Sequence, residues 1–303
     1  MKGLPMPRRA RSLKEHMEIY EKVYGSVYGE YPSLHDHALT IYYNVPLEVR
    51  RIQLELRRNF FDEVYRRLFQ GRDQLKVLDC GCGEGLVVER INEVCSSSPE
   101  FFGNDISRTL LEQASRRLRG ERFYPVLCPA ESLPFPDGQF DIVLSSHMIE
   151  HTHDPRLAMS EMVRVMKTGG ILLLIAPREE WRDPLWGFPP VWSFVRLGLR
   201  ALEYRRKAMK KGLEDLYADS IDRSLEPPDR AMSRPSLESI LSQAGVKILS
   251  RRIVSADFDW ILYYRLNRNL LPILSKIAVH LNRLPGYWMH EYVYISRKTA
   301  KKA

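Results

Sequence analysis

Two stretches of the 303-residue chain carry residues able to do chemistry. The first is Val77-Leu78-Asp79-Cys80-Gly81-Cys82-Gly83-Glu84-Gly85. Glycines at this density permit positive φ and let the backbone approach a ligand closely. Asp79 precedes them, Glu84 lies among them, and Asp105 follows further on. An acid about 20 residues beyond such a loop can accept hydrogen bonds from ribose hydroxyls. A glycine loop alone is a weak signal, so its neighbours must choose the ligand. Leu86 stands where a dinucleotide fingerprint has its third glycine, and no Gly-Lys-Ser/Thr of a P-loop follows. A pyrophosphate here would meet the carboxylates of Asp79 and Glu84, a costly like-charge contact in a partly dry site. The acids suit a ligand with a sugar and a positive charge. The second stretch is His147-Met148-Ile149-Glu150-His151. Histidine titrates near neutrality, so His147 and His151 are candidate general bases. His147 is the better placed of the two, and His151 suits orienting the helix that follows. Cys80 and Cys82 form a Cys-x-Cys pair, which is neither a redox nor a zinc spacing. With Cys95 and Cys128 they read as reduced thiols, and no metal is expected.

These residues need elements to bring them together. Residues 76–80 (KVLDC) read as a short buried strand running into the glycine turn, with a helix at about 86–94. Strands at 100–106, 123–128, 140–145 and 171–176 alternate with helices at 108–119 and 155–166. His153 and Asp154 are helix-start chemistry, and Lys167-Thr168-Gly169-Gly170 reads as a C-cap and turn. The run 171–176 (ILLLIA) has no polar alternation, as in a strand buried on both faces. This alternation argues for a parallel sheet with crossover helices. A helix at 236–244 and strands at 246–254 and 290–296 complete the pattern. Ahead of it, residues 47–69 form an amphipathic helix, with Leu47, Ile52, Leu56, Phe60, Val64 and Phe69 near a helical period. Residues 1–12 read as a disordered basic arm and 32–46 as an irregular linker. Tyr20, Tyr24 and Tyr28 share one face if 13–31 is helical, although Gly25 and Gly29 oppose a helix. Packing is the favoured reading of that stripe, with closure of Tyr20 or Tyr24 over a cation as the second.

The ordered motifs resemble those of class I S-adenosylmethionine-dependent methyltransferases. Val77 to Gly85 is similar to their first motif, and Gly103-Asn104-Asp105-Ile106-Ser107 to their second. Ala130-Glu131-Ser132-Leu133-Pro134-Phe135-Pro136-Asp137-Gly138-Gln139-Phe140-Asp141 resembles the adenine-side loop and entry to the fourth strand. His147 to His151 and Lys167 to Gly170 complete the order, closest to the type-11 branch that includes quinone-biosynthesis enzymes. The likeness covers about residues 75–177, with a weaker echo at 235–254. It implies an α/β fold: a Rossmann-like, doubly wound, mostly parallel sheet with an antiparallel last strand. The cofactor implied is S-adenosyl-L-methionine, whose ammonium and sulfonium meet the demand for positive charge. The resemblance places Asp79, Gly81, Cys82 and Gly83 along the methionine portion, Asp105 on the ribose and Ile106 on the adenine. Ala130 and Glu131 then border the adenine edge, and Ser145 and Ser146 lie near the methyl group. Two positions depart from the family pattern: Pro129 replaces a frequent acid and Thr168 a common proline.

The chain divides into an N-terminal arm and helical cover (1–70), a cofactor-binding core (71–177), an aromatic and charged insertion (178–233) and a C-terminal part (234–303) containing a second insertion, 257–288. The first insertion, with aromatics at 181–194, reads either as a lid on the acceptor or as a packed subdomain. The second mixes apolar residues with Arg265, Arg268, Lys276 and Arg283. Packing, cover of a hydrophobic tunnel and peripheral membrane contact are all open readings of it. Hydrophobic residues are 44% and charged residues 28%, which excludes collagen-like and mostly disordered chains. No apolar run spans a membrane and no secretory signal is recognisable, so a cytoplasmic protein is expected. The formal charge of +8 serves a solvated surface as readily as a polyanion. The expected activity is methyl transfer to a small-molecule or lipid-like acceptor. An RNA or other nucleic-acid methyltransferase is the first alternative, disfavoured because Ser145-Ser146-His147-Met148 replaces an Asn-Pro-Pro-Tyr-type motif. A protein that binds the cofactor without turnover is the second.

Overall fold

A computed structural model describes residues 12–21, 47–72, 74–97, 99–177, 232–254 and 291–300. The basic arm, the 32–46 linker, Tyr24, Tyr28, the aromatic segment 181–194 and the second insertion lie outside these residues.

Helix α1 (Leu13–Tyr20) starts at Ser12, whose hydroxyl accepts from the Glu15 amide at 3.2 Å. Helix α2 (Leu47–Phe69) leads to strand β1 (Lys76–Cys80). Then follow α3 (Leu86–Val94), β2 (Glu100–Asp105), α4 (Arg108–Arg117), β3 (Phe123–Leu127) and β4 (Phe140–Ser146). A single 3₁₀ turn (Ile149–His151) precedes α5 (Pro155–Val165), which Asp154 caps through the amides of Arg156 and Leu157. Strand β5 (Met166–Pro177), α6 (Arg234–Gln243), β6 (Val246–Val254) and β7 (Glu291–Lys298) complete the order.

The seven strands form one sheet in the order β3-β2-β1-β4-β5-β7-β6. Every pairing is parallel except those of β7, which runs antiparallel to β5 and β6. The expected antiparallel last strand is therefore present, inserted between β5 and β6. Side chains alternate across the sheet with a period of two residues. Leu78, Val143, Leu172 and Leu174 enter one core with Met159 and Met162 of α5. Val77, Ile142, Leu144 and Leu173 enter the other, with Val88 and Ile91 of α3 and Phe61, Tyr65 and Phe69 of α2. The predicted amphipathic helix thus covers one face of the sheet.

Strand β5 starts earlier than the sequence suggests. Lys167 to Gly170 lies within it, across a register shift between the Phe140 and Ile142 pairings. Gly169 has φ +81°, and a Cβ on Gly170 would lie 2.7 Å from Cγ of Met166. The expected turn is accommodated as an irregularity in the ladder.

From β1 the chain builds β2 and β3 on one side, and β4 and β5 lie on the other. Such a switch point opens a crevice at the carboxyl ends of the strands, where open α/β sheets bind ligands. Asp79 ends near there on β1, Asp105 on β2, and Ser145 and Ser146 on β4.

Candidate functional site

The glycine loop is closed by its own backbone. Gly81, Gly83 and Gly85 all have positive φ. The amides of Gly81 and Cys82 both donate to the carbonyl of Asn104 at 2.9 Å, and that of Gly85 to Cys82. The Gly83 amide donates to Oδ2 of Asp105 at 3.0 Å, and the Ser107 amide to Oδ1 at 2.9 Å. Asp105 therefore pins the loop to the start of α4. These four loop N–H groups are engaged within the protein, so the loop offers carbonyls and Cα surface rather than a cradle for phosphate. Gly81 also faces Met148, because a Cβ there would lie 2.2 Å from its Cγ.

The acids divide differently from the sequence expectation. Glu84 does not bear on a ligand as a lone charge: its carboxylate pairs with Arg117 Nη2 at 2.7 Å. Asp79 does. It is 1% exposed, its Oδ2 has no partner, and burial together with nearby Asp105 pushes its carboxyl up to about 7. Burial also raises Asp105, against the amides of Ser107 and Gly83. Ser145 is buried with its Oγ unpartnered, while Ser146 and Ile106 keep partial exposure. An orphaned carboxylate oxygen and an orphaned hydroxyl at neighbouring strand ends suit a cationic, hydrogen-bonding ligand. Ala130 is buried. Glu131 is not an open adenine edge, since its Oε1 accepts from the amides of His153 at 2.7 Å and Asp154 at 3.1 Å. All four cysteines are free thiols, and burial raises Cys128 to about 12 and Cys80 and Cys82 well up. They are not poised as nucleophiles.

Beyond β4 the backbone is strained. His147 has φ +52°, a conformation rare for a non-glycine residue, and its amide donates to the Ile175 carbonyl at 3.0 Å. Its Nδ1 lies 3.4 Å from Oε1 of Glu150, and Nε2 of His151 lies 3.9 Å from the same atom. Helix α1 closes on this corner: the Tyr20 ring is 5.9 Å from His151, and His16 is 5.9 Å from His153. Among the described residues no group of side chains could hold a metal ion.

Residues 78–174 match the family model described as "Methyltransferase domain". The chain is 28% identical over 204 residues to the ubiquinone/menaquinone biosynthesis C-methyltransferase UbiE of Paraburkholderia xenovorans, covering 67% of this chain and 74% of that protein. These residues form a class I methyltransferase domain of the type-11 branch. The methyltransferase also shares its fold with a putative Haloferax volcanii methyltransferase solved with the Trm112 activator (TM-score 0.53, 14% identity, 84% of this chain and 96% of that one). A second such structure is geranyl diphosphate C-methyltransferase from Streptomyces coelicolor A3(2) with S-adenosyl-L-homocysteine bound (TM-score 0.50, 13% identity, 80% and 79%). The methyltransferase takes S-adenosylmethionine as cofactor, and the orphaned Asp79 oxygen and Ser145 hydroxyl fit it.

Sequence reading missed three features of the methyltransferase. Glu21, just past α1, accepts from Thr109 Oγ1 at 2.9 Å and contributes to raising Asp105. His16 and Tyr20 meet residues well over 100 positions away, and only Tyr20 carried a sequence signal. Glu150 lies inside the His147–His151 motif, between the two histidines that carried the sequence signal. Its i,i+3 spacing from His147 was the available clue.

Proposed function

We propose that the methyltransferase is a cytoplasmic enzyme that transfers the methyl group of S-adenosylmethionine to a small-molecule or lipid-like acceptor. The observation that carries this is the buried, unpartnered Oδ2 of Asp79 beside a glycine loop whose amides are already engaged. An ammonium satisfies that oxygen and a phosphate does not. Asp79, Gly81, Cys82 and Gly83 flank the methionine portion, Asp105 holds the ribose, and Ile106 and Ala130 border the adenine. Ser145 and Ser146 face the reacting end.

When bound, the cofactor supplies a methyl group on a sulfonium, with a neutral leaving group that needs no acid. The protein aligns the acceptor and excludes water, which can account for much of the acceleration. Where the acceptor's nucleophilic atom carries a proton, Nε2 of His147 receives it, and His151 holds the turn. Pro177 and Val254 both end strands at the cofactor edge of the sheet, and Glu291 begins β7 there. The segments 178–231 and 255–290 therefore leave from that edge, and they select the acceptor. The name of the Paraburkholderia relative supports a small-molecule acceptor. A lipid-like acceptor would bring 257–288 against an anionic membrane, which sedimentation with vesicles tests.

Calorimetric titration with S-adenosylhomocysteine tests the reading, with NAD as control. The wild type binds, NAD does not, and Asp105→Ala loses binding while staying folded. A folded wild type that fails to bind sinks it. Transfer of labelled methyl to a panel of quinols and lipids then identifies the acceptor.

A further inference from the structure

We propose that Glu150 is a positioning residue that fixes the tautomer and orientation of His147, leaving Nε2 of His147 as the proton acceptor at the reaction site. This rests on the methyltransferase reading above and deepens it.

Three observations converge. Glu150 is a carboxylate only 2% exposed, and its ion-pair partners among the described residues are the imidazoles of His147 and His151. Its Oε2 has no hydrogen-bond partner there. A buried acid without a lysine or arginine needs a reason to be retained, because an uncompensated charge is expensive. Second, His147 sits in the left-handed region just past β4, held through its amide by Ile175 of β5. Backbone strain of this kind is costly and gathers at functional sites. Third, the two imidazoles are not equivalent. His147 approaches Glu150 at 3.4 Å and keeps 36% side-chain exposure. His151 stands at 3.9 Å with 25% exposure, and the Tyr20 ring lies against it. The closer and more open imidazole is the one that can meet a ligand.

The geometry dictates the proton's place. The nitrogen facing the carboxylate is Nδ1, so a neutral His147 carries its hydrogen there and leaves a lone pair on Nε2. The carboxylate then stabilises the imidazolium that forms when Nε2 takes a proton, as an acid behind a histidine does in other enzymes. In the transfer step the acceptor's nucleophilic atom gives its proton to Nε2. The freed pair forms the bond to the methyl carbon, and the pair of the broken carbon–sulfur bond stays on sulfur. The imidazolium later returns the proton to water. The acceptor class this serves is one with an acidic proton on the methylated atom: a hydroxyl, a phenol or an acidic carbon.

The test is long-range ¹H–¹⁵N NMR of the histidine rings in the full chain, with His147 assigned by its loss in His147→Asn. In the wild type His147 shows the Nδ1–H tautomer. Glu150→Gln keeps an acceptor and retains that tautomer, whereas Glu150→Leu removes the acceptor and shifts His147 toward Nε2–H. A wild-type His147 in the Nε2–H form, or one unmoved in Glu150→Leu, overturns the proposal. Titration with S-adenosylhomocysteine separates the two levels. Binding retained in the wild type and both Glu150 variants shows an intact cofactor site, so a wrong tautomer then refutes the positioning role alone. A folded wild type that does not bind refutes the methyltransferase reading and this proposal with it.

Discussion

At the scale of single residues, Asp79 is the group whose charge state matters most. Its carboxyl sits at about 7 in the free protein because burial and Asp105 both oppose ionisation. Unfolded, an aspartate titrates near 4, so the folded state holds the proton more tightly. This group's contribution to stability is therefore complete below about pH 4 and is lost as pH rises through 7. Thermal unfolding of the free protein across pH 4–8 will show the wild type losing stability relative to Asp79→Asn between about pH 4 and 7, with the difference levelling off above 7. On the proposed contact between Asp79 and the cofactor's ammonium, binding has the opposite dependence, because that contact requires the ionised carboxylate. Affinity for S-adenosylmethionine will fall toward about tenfold per pH unit below 7, with protons released on binding in calorimetry. Gly81 is constrained by geometry rather than charge. Gly81→Ala combines a left-handed φ, costing about 1–2 kcal/mol, with a Cβ placed 2.2 Å from Met148. A loss of about 2–4 kcal/mol in denaturant unfolding is expected once repacking is included. Gly83→Ala has positive φ but nothing within 4 Å, so it will lose only the backbone part.

At the scale of elements, the site depends on how helices are tied to the sheet. Helix α2 is held to α3 by a two-pronged pair, with Arg90 Nε 2.8 Å and Nη2 2.6 Å from the carboxylate of Asp62. Asp62 is 5% exposed on its side chain and Arg90 27%, so the pair is sheltered and stronger than a surface contact. Asp62→Ala will destabilise by about 2–3 kcal/mol, less than the full cost of a completely buried pair because Glu93 still engages Arg90. Chemical denaturation measures it, and a change under 0.5 kcal/mol would be the value of an ordinary surface site. Helix α1 is tied instead by Glu21 to Thr109 and by its rings to His151 and His153. These contacts make it a cover over the strand ends rather than part of the core.

At the scale of the molecule, the sheet gathers its functional groups at one edge. Five mutually parallel strands (β1 to β5) end there, and the segments after β5 and β6 depart from it. Among the described residues no helix is long and apolar enough to cross a membrane. A ligand that fills this edge binds the folded chain and not the unfolded one, so binding will stabilise the fold as a whole. At one hundred times its dissociation constant S-adenosylhomocysteine adds about 2.7 kcal/mol. For a domain of this size that raises Tm by about 5–10 °C, readable by calorimetry, and Asp105→Ala will abolish the rise.

Local chemistry wrote much of this into the chain. The strand-to-glycine-turn junction, Asp154 as a cap and the alternating strands were all legible, because each depends on neighbours within a few residues. Resemblance of ordered motifs carried the family and the cofactor. Other features exist only once distant segments meet. Glu84 looked free until Arg117 arrived from α4, and Glu131 looked like a ligand edge until the amides of His153 and Asp154 claimed it. The insertion of β7 between β5 and β6, and the seating of Tyr20 against His151, join residues more than 35 positions apart. Periodicity reports which face of an element is buried; only the closed tertiary structure decides which partner buries it, and with it which charges remain for chemistry.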